Sequence, residues 1–242
     1  MLNTGNQENS EIPTPCLFSV LTRIHMKYPT DFINKIICGD CLEVMKDMPD
    51  KCVDLVLTDP PYGKMWTRGK NAIGLLKEQN ENDKTIWDIK PTKEYFDEIF
   101  RVSKNQIIFG GNYFTDYLYP SNCWIVWDKL GNLKLGEQIP FADCELAWTS
   151  FTKVVKKFVC RSAGFIKDTK DIRQHPTQKP TELMKWIIGK YANESDLILD
   201  CFMGSGSTLV AAKQLGRKFI GIEINPEYCK IAEDRLRQEM LV

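Results

Sequence analysis

Val53-Asp54-Leu55-Val56-Leu57-Thr58-Asp59-Pro60-Pro61-Tyr62 decides the reading of this chain. The stretch from Val53 to Thr58 has the length and apolar content of a buried strand. Two consecutive prolines cannot continue it, because they lack an N–H and fix φ. The strand must therefore end at Asp59 and leave a rigid polar turn at its carboxyl edge. That turn offers a carboxylate, backbone carbonyls and an aromatic ring. Such a set suits a planar molecule with an exocyclic amino group, such as a nucleobase: acceptors for its N–H groups and a ring for its face. Taken alone, the same residues also read as a strand and a proline turn without a ligand.

Working outward, strands and helices alternate. Residues 35–38 read as a strand, 41–48 as a helix, 93–102 as a helix and 106–109 as a strand that runs into Gly110-Gly111-Asn112. Residues 123–127 and 144–148 read as two more strands, with a glycine-containing loop between them. Then come a helix at 181–191, a strand at 197–200, a helix at 208–215 stopped by Gly216, a strand at 219–223 and a final helix from Pro226. Residues 1–30 are polar, carry Pro13, Pro15 and Pro29, and read as a loosely held arm; residues 64–90 read as an irregular loop. The alternation predicts an α/β fold with a mainly parallel, doubly wound sheet. A single domain is expected over residues 31–242.

Composition narrows the class. The chain has 242 residues, a formal net charge of zero and 43% hydrophobic residues, ordinary for a globular protein. No apolar run is long enough to cross a bilayer and the N-terminus lacks a basic-then-apolar pattern, so a cytoplasmic location is expected, with the nine cysteines reduced. Cys38-Gly39-Asp40-Cys41 is formally a C-x-x-C, but the only histidines are His25 and His175, so no metal site is expected. Charge is uneven along the chain. Lys64, Arg68, Lys70 and Lys77 form one basic stretch, and Lys153, Lys156, Lys157, Arg161, Lys167, Lys170, Arg173 and Lys179 a second, against only Asp168 and Asp171. These are either solvated loops or phosphate contacts.

The second informative motif is Asp200-Cys201-Phe202-Met203-Gly204-Ser205-Gly206-Ser207-Thr208, after a strand and before a helix. Gly204 and Gly206 let backbone approach a ligand where a Cβ would clash, and helix N-terminal amides face it. The next strand ends at Glu223, where nucleotide-binding α/β folds place the acid that holds ribose hydroxyls. No Gly-Lys-Ser/Thr follows, which disfavours a phosphate loop. An adenosine-containing cofactor without phosphates fits better than a dinucleotide.

Taken together, Asp59-Pro60-Pro61-Tyr62, the Phe202–Gly206 turn and His175-Pro176-Thr177-Gln178-Lys179-Pro180 resemble the S-adenosylmethionine-dependent DNA amino-methyltransferases, which modify N6 of adenine or N4 of cytosine. The resemblance covers most of residues 35–237. The catalytic turn precedes the cofactor turn, as in the circularly permuted β class, where target recognition lies between them. The resemblance implies a Rossmann-like class I methyltransferase fold, with a seven-stranded sheet and one reversed edge strand. It places Asp59, Pro60, Pro61 and Tyr62 at the catalytic site, with Asp59 and the Pro60 carbonyl accepting from the target amine and Tyr62 stacking on the extruded base. Asp200, Phe202, Gly204, Ser205 and Gly206 would line the cofactor, Glu223 its ribose, Asp40 and Cys41 its adenine side, and Lys179 its methionine portion. Asp40 reads equally as a helix N-cap.

Lys64, Arg68, Lys70, Lys156, Lys157 and Arg161 are the expected contacts to double-stranded DNA, and segments 130–141 and 149–175 the target-recognition elements. In this family a leading Asp goes mostly with adenine, so Asp59 favours N6-adenine over the alternative N4-cytosine. A silent DNA-binding subunit, an RNA or glutamine methyltransferase and a dehydrogenase are the remaining readings. The resemblance also allows a second copy of the chain and a restriction endonuclease as partners.

Overall fold

A computed structural model describes residues 26–63, 89–131, 142–163, 166–167 and 178–238. Residues 1–25 of the expected arm, Lys64, Arg68, Lys70, most of the 130–141 segment and His175-Pro176-Thr177 lie outside the described residues.

The strands are β1 (Lys35–Cys38), β2 (Val53–Thr58), β3 (Ser103–Phe109), β4 (Trp124–Asp128), β5 (Cys144–Thr149), β6 (Lys156–Val159), β7 (Ser162–Ala163), β8 (Ile166–Lys167), β9 (Leu197–Asp200) and β10 (Lys218–Glu223). The helices are α1 (Cys41–Met45), α2 (Lys93–Val102), α3 (Thr181–Tyr191), α4 (Ser207–Gln214) and α5 (Pro226–Gln238). Among the described residues the main sheet has eight strands in the order β1-β10-β9-β2-β3-β5-β4-β6, and β7 and β8 form a separate antiparallel pair. The family resemblance implies seven strands with one reversed edge strand. Instead β5 alone is reversed and it is internal, antiparallel to β3 on one side and β4 on the other. The chain leaves β3, skips one position to form β4, and returns into the gap as β5. The additional strand, β6, then pairs parallel to β4 and forms the edge.

The central strands are buried on both faces and so read as continuous apolar runs. Leu55, Leu57, Ile107, Phe109 and Ile198 point to a core shared with Leu183, Ile187 and Ile188 of α3, Leu209 of α4 and Ala232 of α5. Val56, Ile108 and Leu199 point to the opposite core, with Met45 of α1 and Phe96, Ile99 and Val102 of α2. Helix α1 is shorter than the expected 41–48. Asp47 N donates to Val44 O and Met48 N to Met45 O, so its last turn tightens to the three-residue pattern ahead of Pro49, which disfavours a helical Met48.

The order places the site. From β2 the chain moves to β3 on one side, and from β9 to β10 on the other. The carboxyl ends of neighbouring β2 and β9 therefore flank a topological switch point, where open α/β sheets hold ligands.

Candidate active site

The Asp59 turn is built on the end of β2. Thr58 is buried, and its hydroxyl donates to Asp200 Oδ1 at 2.8 Å, which ties this turn to the end of β9. Pro60 is buried and Pro61 half-buried. The Asp59 side chain keeps 21% of its surface exposed. Its Oδ1 accepts from the Tyr62 hydroxyl and its Oδ2 from Lys179 Nζ. The Tyr62 ring lies against Gly110, with Tyr113 at 4.8 Å and Phe114 at 6.1 Å between centroids. Tyr62, expected to stack on a base, thus belongs to an aromatic wall that also includes half-buried Tyr113.

The ammonium of Lys179, which the resemblance sets near the cofactor's methionine portion, pairs with Asp59. It is 7% exposed and also pairs with Glu145 Oε2 at 3.1 Å, while Glu145 Oε1 accepts from Lys129 Nζ at 2.9 Å. Two carboxylates and two ammonium groups thus alternate from Lys129 to Asp59. Burial raises the Glu145 carboxyl, but Lys179 and Lys129 outweigh it and bring it down to about 2. For Lys179, burial opposes the charge and the two carboxylates prevail, so it stays protonated. Burial raises the Asp59 carboxyl above the ordinary range against the pull of Lys179. Burial and the Asp59 charge together hold the Tyr62 hydroxyl protonated, as a donor.

The glycine turn follows β9. Gly204 and Gly206 take φ of 51° and 77°, which favours glycine. Asp200 is buried; its Oδ1 accepts from Phe202 N at 3.2 Å as well as from Thr58, and burial raises its carboxyl to about 6. Glu223, at the end of β10, accepts from Gly204 N at 2.9 Å and Asn225 N at 2.8 Å. Ser205 is buried and held from α5 by Arg235, which donates to its carbonyl at 2.6 Å. Asp40 is indeed the N-cap of α1, accepting from Leu42 N at 2.8 Å, but it also accepts from the Tyr95 hydroxyl at 3.2 Å. Tyr95 in turn lies 6.0 Å from the Phe202 ring. The pairing of Cys38 with Glu223 sets Asp40 and Glu223 at the same edge. Cys41 is buried, and its thiol meets that of Cys201.

These groups fit an adenosine with a cationic tail. Asp40 and Glu223 suit N–H and hydroxyl donors, the Tyr95 and Phe202 rings suit a purine face, and Arg235 is committed to Ser205 and Ser207. Of the expected DNA contacts, Lys157 is exposed on β6 and donates to Asp128 Oδ2 at 3.2 Å, Lys156 is half-buried, and Arg161 is exposed. Asp128 adjoins Lys129, so the β6 cluster lies beside the charged chain that leads to Asp59. Glu145, Lys129, Tyr113 and Tyr95 escaped the sequence reading. Each lies in an ordinary strand, loop or helix pattern; only the tertiary arrangement sets Tyr113 against Tyr62, and Glu145, with Lys129 behind it, against Lys179.

Residues 76–234 match the family model described as DNA methylase, an N6/N4 methyltransferase family. The Type II methyltransferase M.HinfI of Haemophilus influenzae is 31% identical over 252 residues, covering 86% of this chain and 69% of that protein. M.HpaI of Haemophilus parainfluenzae is 28% identical, covering 85% of this chain and 74% of that protein. Among solved structures, the M1.HpyAVI–SAM complex superposes with a TM-score of 0.55 at 26% identity, over 84% of this chain and 98% of that one. With the Asp59 turn and the glycine turn side by side at the carboxyl edge of a class I methyltransferase sheet, the chain belongs to the DNA methylase family of N6/N4 amino-methyltransferases.

Proposed function

We propose that this DNA methyltransferase moves a methyl group from S-adenosylmethionine to the N6 amino group of an adenine flipped out of double-stranded DNA. The observation that carries the reading is the Asp59 carboxylate at the end of β2, directly beside the glycine turn that ends β9. The cofactor supplies an electrophilic methyl group on a sulfonium sulfur. Asp200, Phe202, Gly204, Ser205, Gly206 and Glu223 are the residues we assign to it, with Asp40 and Tyr95 on its adenine side.

A base inside a duplex is out of reach, and extruding it costs a few kcal/mol. The exocyclic nitrogen is a poor nucleophile because its lone pair is delocalised into the ring. Asp59 and the Pro60 carbonyl accept its N–H groups, which favours a pyramidal nitrogen and stabilises the positive charge that grows on it. Lys179 and Tyr62 hold the Asp59 carboxylate in one orientation for that contact. Lys156, Lys157 and Arg161, with Lys64, Arg68 and Lys70, are assigned to the phosphates, and segments 130–141 and 149–175 to the target sequence. The leading Asp supports adenine over cytosine.

The test is methyl transfer from labelled S-adenosylmethionine to unmethylated genomic DNA, followed by digestion and mass spectrometry of the nucleosides. N6-methyladenine is expected. N4-methylcytosine would keep the chemistry and overturn the base; no methylated nucleoside would overturn the reading. Asp59→Ala should lower turnover by at least about a hundredfold, as loss of a direct transition-state contact does, with cofactor affinity by calorimetry little changed.

A further inference from the structure

Asp59 is not alone with its lysine. The Lys179 ammonium, 7% exposed, is shared between Asp59 and Glu145, and Lys129, 13% exposed, holds the far oxygen of Glu145. Lys129 is itself fixed: its backbone N donates to Asp143 O at 2.9 Å, and its ammonium lies 5.6 Å from the Trp127 ring centroid. The arrangement has a chemical consequence. A lone lysine paired to Asp59 would neutralise the carboxylate and place a positive charge close to a nitrogen that becomes positive as it is methylated. A second carboxylate on the same lysine offsets both effects.

We propose that Glu145, held by Lys129, is a positioning residue for methyl transfer. By sharing Lys179 with Asp59, it leaves the Asp59 carboxylate free to engage the target amine. The proposal rests on the amino-methyltransferase reading above. Among the described residues, the charged and titratable groups around Asp59 are Tyr62 from its own turn, Lys179 ahead of α3, Glu145 from β5 with Lys129 behind it, and Asp200 from β9.

Opposite charge changes at Glu145 and Lys129 should move Asp59 in opposite directions. Glu145→Gln commits Lys179 to Asp59 and removes a neighbouring anion, so Asp59 stays ionised to lower pH but accepts more weakly. Lys129→Gln removes a cation and leaves Glu145 wholly to Lys179, so Asp59 ionises at higher pH.

The experiment is kcat against pH at saturating cofactor and DNA for the wild-type chain and both variants, with cofactor binding followed over the same pH range to track Asp200 separately. Glu145→Gln should lower kcat about tenfold, less than loss of a direct contact, and move the acid limb down by about one pH unit. Lys129→Gln should move that limb up, and both variants should keep cofactor affinity. Limbs that stay in place or move together in an active wild-type background overturn the proposal and leave the methyltransferase reading intact. A wild-type chain that methylates no nucleoside overturns both. If Glu145→Gln fails to fold, the upward shift in Lys129→Gln decides alone.

Discussion

Gly110 shows how strictly single residues are held around Asp59. It has φ of 65°, and a Cβ there would lie 2.8 Å from Tyr62 Cδ1 and closer still to two other ring carbons. Gly110→Ala should therefore displace Tyr62, costing about 1–3 kcal/mol in stability from the strained φ and the overlap, and lowering turnover through the lost Tyr62–Asp59 bond. Denaturant unfolding and kcat check the two effects. In the sequence Gly110 reads only as a turn glycine, because its partner lies on another strand's loop. The sequence reads Gly206 as a glycine that a tight turn requires. Its φ of 77° agrees, but a Cβ there would also lie 2.8 Å from Ala232 Cβ of α5, a packing reason that no local motif carries.

Among the elements, α2 links core to site. Phe96 is fully buried and packs its ring 5.0 Å from Phe114, which in turn meets Tyr62 at 6.1 Å. Phe96→Ala should cost about 3–5 kcal/mol, read from urea unfolding, because a large aromatic is removed from a closed core. The helical spacing of Phe96, Ile99 and Phe100 announced this helix in the sequence. Edge strand β6 was different. Val154-Val155-Lys156-Lys157-Phe158-Val159 holds the apolar and branched residues of a strand, but its lysines place it in a basic stretch that reads as a solvated loop or a phosphate contact. Lysines on an edge strand are compatible with pairing on one side only and deter pairing on the other. Whether such a segment joins a sheet depends on a free edge, here that of β4, which local sequence does not reveal.

Across the whole molecule, the buried carboxylates set the response to pH. Asp200 is raised from 3.8 to about 6 by burial, so between these values the folded chain binds the proton that the unfolded chain has released. Its contribution to stability therefore falls as pH rises through that window, by at most about 3 kcal/mol. Glu145 has the opposite sign: lowered from 4.5 to about 2, it stabilises fully above its ordinary value, and that stabilisation is lost as pH falls toward 2. Asp200→Asn should flatten the decline between pH 4 and 6 in denaturant titrations while leaving the acid-side loss in place. The sequence by itself determined the α/β class, most strand and helix positions, the Asp59 turn, the glycine turn and the acid at Glu223, because each is written in contiguous residues whose proline, glycine or apolar spacing has a local cause. Only the tertiary structure decided that the sheet has eight strands with β5 reversed inside it, that Lys179 rests on Asp59, and that Glu145 and Lys129 complete the charged chain. These follow from which strands become neighbours. That choice is made by burial and pairing between segments far apart in the chain, and it leaves no periodicity in any one of them.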